Sequence, residues 1–176
     1  MNREQLEHAI RAAGAICGDR ELHIVGSQSI LGACPSAHPD LLRSMEVDIA
    51  PKNRPELADL VEGSIGELSP FHQTFGFYVD GVDIAGIALP EGWRDRLVVV
   101  DNGGTNGIRG LCLEPGDLAI SKLVAGRDKD RDFIRVLIRQ TIVSETSLRE
   151  RIQLLPATTP NEVQRLQDMV TGLARR

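Results

Sequence analysis

The chain has few aromatic residues, no long apolar segment and no excess of positive charge. Aromatic residues make up 3% of its 176 residues, so the core must be built from Leu, Ile, Val and Ala. No apolar run approaches the ~20 residues that a membrane-spanning helix needs. The charged, amphipathic residues 1–17 also lack the apolar stretch of a signal peptide. We therefore expect a cytoplasmic protein without a membrane partner.

Cysteine and charge exclude further classes of protein. Cys17, Cys34 and Cys112 lie far apart and form neither a CxxC pair nor a zinc spacing with the four histidines, which predicts free thiols in a reducing compartment. A formal net charge of −5 argues against a protein that coats nucleic acid non-specifically. Arginines after position 126 still allow a local basic patch.

Apolar periodicity and turn residues predict an α/β region followed by helices. The Asp80-Gly81 dipeptide predicts a tight turn that joins two strands. Strands are expected at 22–26, 45–51, 73–79, 82–89, 96–100 and 108–113, and helices at 3–17, from Pro55 onward, and near 115–125, 129–142, 146–154 and 160–174. This order predicts an α+β fold with a mixed sheet flanked by helices. Residues 1–114 would form the core, and residues 115–176 a helical part packed on it.

Acidic residues on the predicted strands suggest a metal site. Glu46 and Asp48 are two positions apart, so in a strand both point to the same face. Asp83, flanked by Val82 and Ile84, is a third candidate if its strand lies beside the first. Three carboxylates suit Mg²⁺ or Mn²⁺ and phosphoryl or nucleotidyl transfer assisted by two metals. A plainer alternative is that these acids belong to a solvated strand face.

Two further features suit a phosphate-bearing substrate. Gly26 and Ser27 follow a predicted strand, where a glycine lets the backbone approach a phosphate and helix-start amides and a hydroxyl donate to its oxygens. Lys122 lies among apolar residues ahead of a charged cluster at 127–132. That lysine either binds phosphate or only extends its ammonium group into solvent. The cluster has a similar alternative as a solvated helix start.

Together these motifs resemble a known superfamily. The order of motifs is similar to that of the DNA polymerase β-like nucleotidyltransferases. It consists of Gly-Ser at a strand end, then hydrophobic-acid-x-Asp-hydrophobic, and then hydrophobic-Asp-hydrophobic on a later strand. The stretch DLAISKLVAGRDKDRDFIRVLI (117–138) resembles a segment of the abortive-infection toxin-like nucleotidyltransferases and their uncharacterised bacterial relatives. The resemblance covers roughly residues 20–140 and implies a minimal nucleotidyltransferase fold with a helical C-terminal part.

The resemblance also implies roles for individual residues. Gly26 and Ser27 would hold a triphosphate, while Glu46, Asp48 and Asp83 would bind Mg²⁺ or Mn²⁺, with Asp83 also a candidate general base and catalytic residue. Lys122 would act catalytically on a phosphate or bind the base, near a charged cluster of Arg127, Lys129 and Asp132. The implied substrate is an NTP, the acceptor an RNA or a protein, and the toxin-like relatives imply an antitoxin partner.

Two departures from the family pattern leave alternatives open. Eighteen residues separate Ser27 from Glu46, a longer connector than is usual, and Glu46 stands where Asp is more common. A non-catalytic module of the same fold, binding a nucleotide or a protein, is therefore the second hypothesis. A third is that the helices of residues 129–175 drive dimerisation and that the acids are only surface residues.

Overall fold

The computed structural model describes residues 1–175, which form eight α-helices, five strands and short 3₁₀ turns. The helices are α1 (Arg3–Cys17), α2 (Ile30–Ala33), α3 (Ala58–Ile65), α4 (Pro70–Phe75), α5 (Pro115–Ala125), α6 (Asp128–Arg139), α7 (Glu145–Ile152) and α8 (Pro160–Ala174). The strands are β1 (Glu21–Val25), β2 (Glu46–Pro51), β3 (Tyr78–Gly81), β4 (Val98–Val100) and β5 (Arg109–Cys112).

One mixed sheet runs through the molecule in the order β3-β2-β1-β5-β4. β1 is antiparallel to β2 and parallel to β5. β3 runs parallel to β2, and β4 runs antiparallel to β5. Helices α1 and α3 pack against this sheet and against each other, and α5 to α8 form the C-terminal helical part. The predicted α+β class with a mixed, helix-flanked sheet is confirmed.

Several boundaries follow from local sequence signals. Asn2 caps α1 by accepting from the Gln5 backbone, and the Gln5 side chain accepts in return from the Asn2 backbone. Gly18 ends α1 in the left-handed conformation that glycine adopts without steric cost. The strands predicted at 22–26 and 45–51 are confirmed within one residue. The hairpin predicted from the strands at 96–100 and 108–113 is confirmed as the antiparallel pair of β4 and β5, with β4 beginning two residues later than predicted.

Most of the predictions between residues 73 and 89 are wrong, since only Tyr78 and Val79 of the two predicted strands lie in a strand. Ser69 caps a helix begun by Pro70, so α4 occupies part of the predicted strand. Asp80 and Gly81 form the end of β3 rather than a tight turn, and a Cβ on Gly81 would lie 2.1 Å from the Ala58 carbonyl oxygen. This glycine therefore allows β3 to pack closely against α3. Residues 82–89 form a loop with a 3₁₀ turn instead of a strand.

A buried ionic network fixes the C-terminal helices on the sheet region. The Asp117 side chain on α5 is fully buried and accepts hydrogen bonds from Arg96 Nε at 2.9 Å and from Arg151 Nη1 at 2.6 Å. Because both partners supply charge and hydrogen bonds, this buried carboxylate is well compensated. No helix among residues 1–175 is both long and apolar enough to cross a membrane.

Candidate active site

The pairing of β1 with β2 places a glycine turn against an acidic side chain. Val25 at the end of β1 pairs with Asp48, so the next residue, Gly26, lies beside that carboxylate. Gly26 has φ +60°, and a Cβ there would lie only 1.8 Å from Asp48 Oδ2. Both the backbone conformation and the lack of space therefore require glycine. The 3₁₀ turn Ser27–Ser29 follows directly and leads into α2.

Three carboxylates converge on the face of the sheet at β2 and β3. The register pairs Asp48 with Asp80, and Glu46 lies two positions before Asp48 on the same face. One carboxylate oxygen from each of these three residues lies within 4.8 Å of the others. We call Glu46, Asp48 and Asp80 the acidic triad.

Burial and neighbouring carboxylates raise the pKa values of Asp48, Asp80 and a neighbouring tyrosine. Burial, with the charges of Glu46 and Asp80, raises the pKa of Asp48 to about 6, an effect that Lys122 opposes. Burial and nearby carboxylates, Glu46 first, also raise the pKa of Asp80. Tyr78, whose hydroxyl lies 3.4 Å from Glu46 Oε2, has its pKa raised to about 12 by burial and by the same acids. The site therefore favours the arrival of positive charge.

The donor set of the triad fits a hard divalent cation. Carboxylate oxygens are the ligands that Mg²⁺ and Mn²⁺ prefer, and both ions keep further positions for water and substrate phosphates. Three carboxylates this close repel one another, and a cation between them would relieve that repulsion. Glu46, Asp48 and Asp80 are therefore the residues that could hold a metal in this structure.

A buried lysine faces the triad from α5. Lys122 is 6% exposed, and its Nζ donates to Asp130 Oδ1 at 3.0 Å and lies 4.7 Å from the centre of the Phe133 ring. Asp130 is fully buried and also accepts from Arg127 Nε at 2.6 Å. These two cations hold the pKa of Asp130 below its usual range despite its burial. Lys122 is thus a fixed cation rather than one that extends freely into solvent.

Three openings surround the triad, and each contains one of its members. The first, which we call the α6 cleft, has a volume of about 490 Å³ and is lined by Glu46, Ser27 and one face of α6. Five cations line it together with four carboxylates: Arg43, Lys122, Lys129, Arg135 and Arg139, with Asp40, Glu46, Asp130 and Asp132.

The second opening, the loop cavity, has a volume of about 420 Å³ and lies between the loop after β3 and the end of α5. Asp48, Gly26 and Lys122 lie on its wall, and most of its other lining residues are apolar. The third, the acidic groove, has a volume of about 690 Å³ and contains Asp80. Its described lining holds four carboxylates and no cation: Asp59, Glu62, Glu67 and Asp80.

The structure brings together most of the residues predicted from sequence. Five of the predicted residues lie at the triad or in the walls of its openings: Gly26, Ser27, Glu46, Asp48 and Lys122. Arg127 lines the loop cavity, whereas Lys129 and Asp132 line the α6 cleft.

Asp83 occupies a different position from the one predicted. It lies on the loop after β3, where it lines the loop cavity and accepts from the Ala85 backbone at 2.9 Å. The third acid that the structure places beside Glu46 and Asp48 is Asp80. Sequence reasoning missed Asp80 because its Asp-Gly pair suggested a turn, although Tyr78-Val79-Asp80 also fits a strand that ends in an acid. It also missed Asp130 as the partner of Lys122.

Comparison with protein-family models identifies a family that covers most of the chain. A family model described as "Nucleotidyltransferase of unknown function (DUF6036)" matches residues 4–171. Neither the curated proteins nor the solved structures include a match to the chain.

Proposed function

This chain belongs to that nucleotidyltransferase family, and from this premise we propose that it is a metal-dependent enzyme which transfers a nucleotidyl group from an NTP to an acceptor hydroxyl. The observation that carries the proposal is the acidic triad beside the Gly26–Ser27 turn and Lys122. The metal would be Mg²⁺ or Mn²⁺, held by Glu46 and Asp48 with Asp80 in place of the predicted Asp83. It would supply Lewis acidity to the phosphates and lower the pKa of the attacking hydroxyl.

The chain's own residues would bind and orient the triphosphate. The Gly26–Ser27 turn offers backbone amides and a hydroxyl at close range, since no Cβ stands between this backbone and the triad. Lys122 is held by Asp130 and the Phe133 ring and so presents a charge of fixed position. Arg127 and Lys129, in the two adjoining openings, would neutralise the remaining phosphate charge.

Asp80 is the candidate general base. In the proposed step the acceptor oxygen forms a bond to the α-phosphorus and the bond from that phosphorus to the β-phosphate bridging oxygen breaks. Pyrophosphate leaves with that electron pair, and the acceptor proton moves to a carboxylate oxygen of Asp80. Burial and the charge of Glu46 raise the pKa of Asp80, which favours its taking up the acceptor proton.

The acidic groove favours a protein over RNA as the acceptor. It opens at Asp80 and presents carboxylates without a cation among its described lining residues. An RNA backbone would be repelled there, whereas a basic protein segment would be attracted. We therefore place a hydroxyl-bearing protein first among the proposed acceptors, and RNA second.

Radioactive labelling tests this function. The protein would be incubated with NTPs labelled at the α-phosphate, Mg²⁺ and separate protein and RNA fractions of a cell extract. We expect label that is sensitive to protease, and its loss in Asp48→Asn and Asp80→Asn. Full transfer by an Asp48→Ala/Asp80→Ala double variant would contradict the proposal. Metal-dependent NTP binding without labelling of any fraction would instead support the non-catalytic module.

A toxin role, with an antitoxin protein as partner, is the narrowest form of the proposal and rests on the sequence resemblance alone. It predicts that expression of the chain arrests growth and that Asp48→Asn restores it. The same arrest by both forms would show that transfer chemistry is not its cause.

A further inference from the structure

The α6 cleft and the loop cavity adjoin at the residues on which a triphosphate would lie. Lys122 lines both of them. Ser27 lines the cleft, and its neighbour Gly26 lines the cavity. An NTP with phosphates at this junction therefore has two directions in which its nucleoside could extend.

The two spaces differ in the chemistry of their walls. The α6 cleft is lined mainly by charged side chains, which suit phosphate oxygens and water. The walls of the loop cavity are less charged: six of its 13 lining residues are aliphatic, including Val82 and Ile87 from the loop and Val124 from α5. Flat apolar ligand groups are usually held between such walls, with a few polar groups to orient them.

We propose that the loop cavity is the nucleobase subsite and that Asp83 on its wall selects bases that carry an amino group. This inference rests on the proposed function, since it presupposes that the phosphates of an NTP lie at the triad. It gives Asp83 a role in base selection in place of metal binding.

The selection follows from the hydrogen-bonding capacity of a carboxylate. An aspartate carboxylate only accepts, and adenine, cytosine and guanine each offer an amino group as donor. Uracil presents a carbonyl oxygen in place of the amino group of cytosine, and that oxygen would face the carboxylate without a proton between them. The hydrogen bond from the Ala85 backbone holds Asp83 on the loop, so the carboxylate is already fixed in position.

Gly86 offers a way to fill the cavity without disturbing the fold. It lines the loop cavity, its φ is not in the left-handed region, and a Cβ there would meet no atom within 4 Å. Gly103 is an equally open glycine on the connection between β4 and β5, at the edge of the sheet opposite β3. Gly86→Phe and Gly103→Phe therefore form a matched pair. Val124→Trp narrows the same cavity from α5 and provides a second blocking variant.

Calorimetry with Mg²⁺ would compare inorganic tripolyphosphate with ATP, GTP, CTP and UTP. We expect the wild type to bind UTP at least about ten-fold more weakly than CTP, since one hydrogen bond is replaced by a repulsive contact. Gly86→Phe and Val124→Trp should weaken all four NTPs about ten-fold or more and leave tripolyphosphate unchanged. Gly103→Phe should change nothing.

Asp83→Asn tests the selection itself. The asparagine oxygen can still accept from the Ala85 backbone, while its amide can donate to uracil, so the preference for CTP over UTP should fall to about two-fold or less. Unchanged NTP binding in both blocking variants, with tripolyphosphate still bound, would overturn the nucleobase subsite and leave the proposed function standing. Absence of Mg²⁺-dependent binding of both NTP and tripolyphosphate would overturn the two together.

Discussion

The α6 cleft and the acidic groove both open onto the acidic triad, yet their charges differ. The cleft combines five cations with four carboxylates, including Glu46, whereas the described lining of the groove holds four carboxylates and no cation. An anionic substrate is therefore favoured on one side of the triad and disfavoured on the other. The difference suggests that NTP and acceptor reach the triad from separate directions. Glu46 would then lie nearer the NTP and Asp80 nearer the acceptor.

The largest effect is expected from removing the triad member that faces the groove. Asp80→Asn removes a proposed metal ligand, so Mn²⁺ affinity should fall by at least about 100-fold, more than the loss typical of outer-shell changes. The matched change Asp83→Asn should alter affinity by less than about two-fold, because Asp83 lies outside the triad. Electron paramagnetic resonance of free Mn²⁺ measures both. Equal losses in the two variants would contradict the assignment of Asp80.

A second effect concerns stability in the absence of metal. Burial and the neighbouring acids raise the pKa of Asp48 to about 6. The ordinary pKa of aspartate is about 4, so between about pH 4 and pH 6 the folded state binds the Asp48 proton more tightly than the unfolded state does. As pH rises through this window, ionisation of Asp48 therefore destabilises the fold increasingly. Asp48→Asn should therefore raise the free energy of unfolding by about 2 to 3 kcal/mol at pH 7.5 and by almost nothing below pH 4.

Urea unfolding in chelator across this pH range checks that prediction. The same chemical change at the exposed Asp132 should shift the free energy by less than about 0.5 kcal/mol. A gain for Asp48→Asn that does not shrink in acid would show that charge burial is not its cause.

The smallest effect is expected from reversing one charge in the α6 cleft and one in the acidic groove. Lys129→Glu in the α6 cleft should weaken tripolyphosphate binding by several-fold to about ten-fold, and less at high salt, since this side chain is exposed. Glu62→Lys in the acidic groove should leave tripolyphosphate within about two-fold but increase the labelling of RNA. Equal weakening of tripolyphosphate by both variants would remove the distinction between the two openings.

Two of the three triad residues are easier to predict from the sequence than the third, for a physical reason. Glu46 and Asp48 lie on a strand whose alternation of apolar and acidic residues is visible in the sequence. Gly26 comes beside Asp48 because β1 pairs antiparallel with β2. Asp80 joins them through the parallel pairing of β3 with β2, which needs a crossover and leaves no short-range signal. The Asp80-Gly81 pair also favours a turn in the sequence. The structure gives a different reason for the glycine, which is the close approach of Gly81 to α3.

The Lys122 region shows a similar division. Its apolar surroundings and the following charged cluster are evident from the sequence, and the helices predicted near 115–125 and 129–142 are confirmed as α5 and α6. The partner of Lys122 depends on how these two helices pack. Asp130, eight residues away and fully buried, is then indistinguishable in sequence from the exposed Asp128 and Asp132.

Anomalous diffraction from crystals grown with Mn²⁺ and a non-hydrolysable NTP tests the central claim most directly. We predict Mn²⁺ density between Glu46, Asp48 and Asp80, with phosphates at the Gly26–Ser27 turn and Lys122. A metal bound at Asp83 without the triad, or an ordered NTP whose phosphates lie away from these residues, would contradict it.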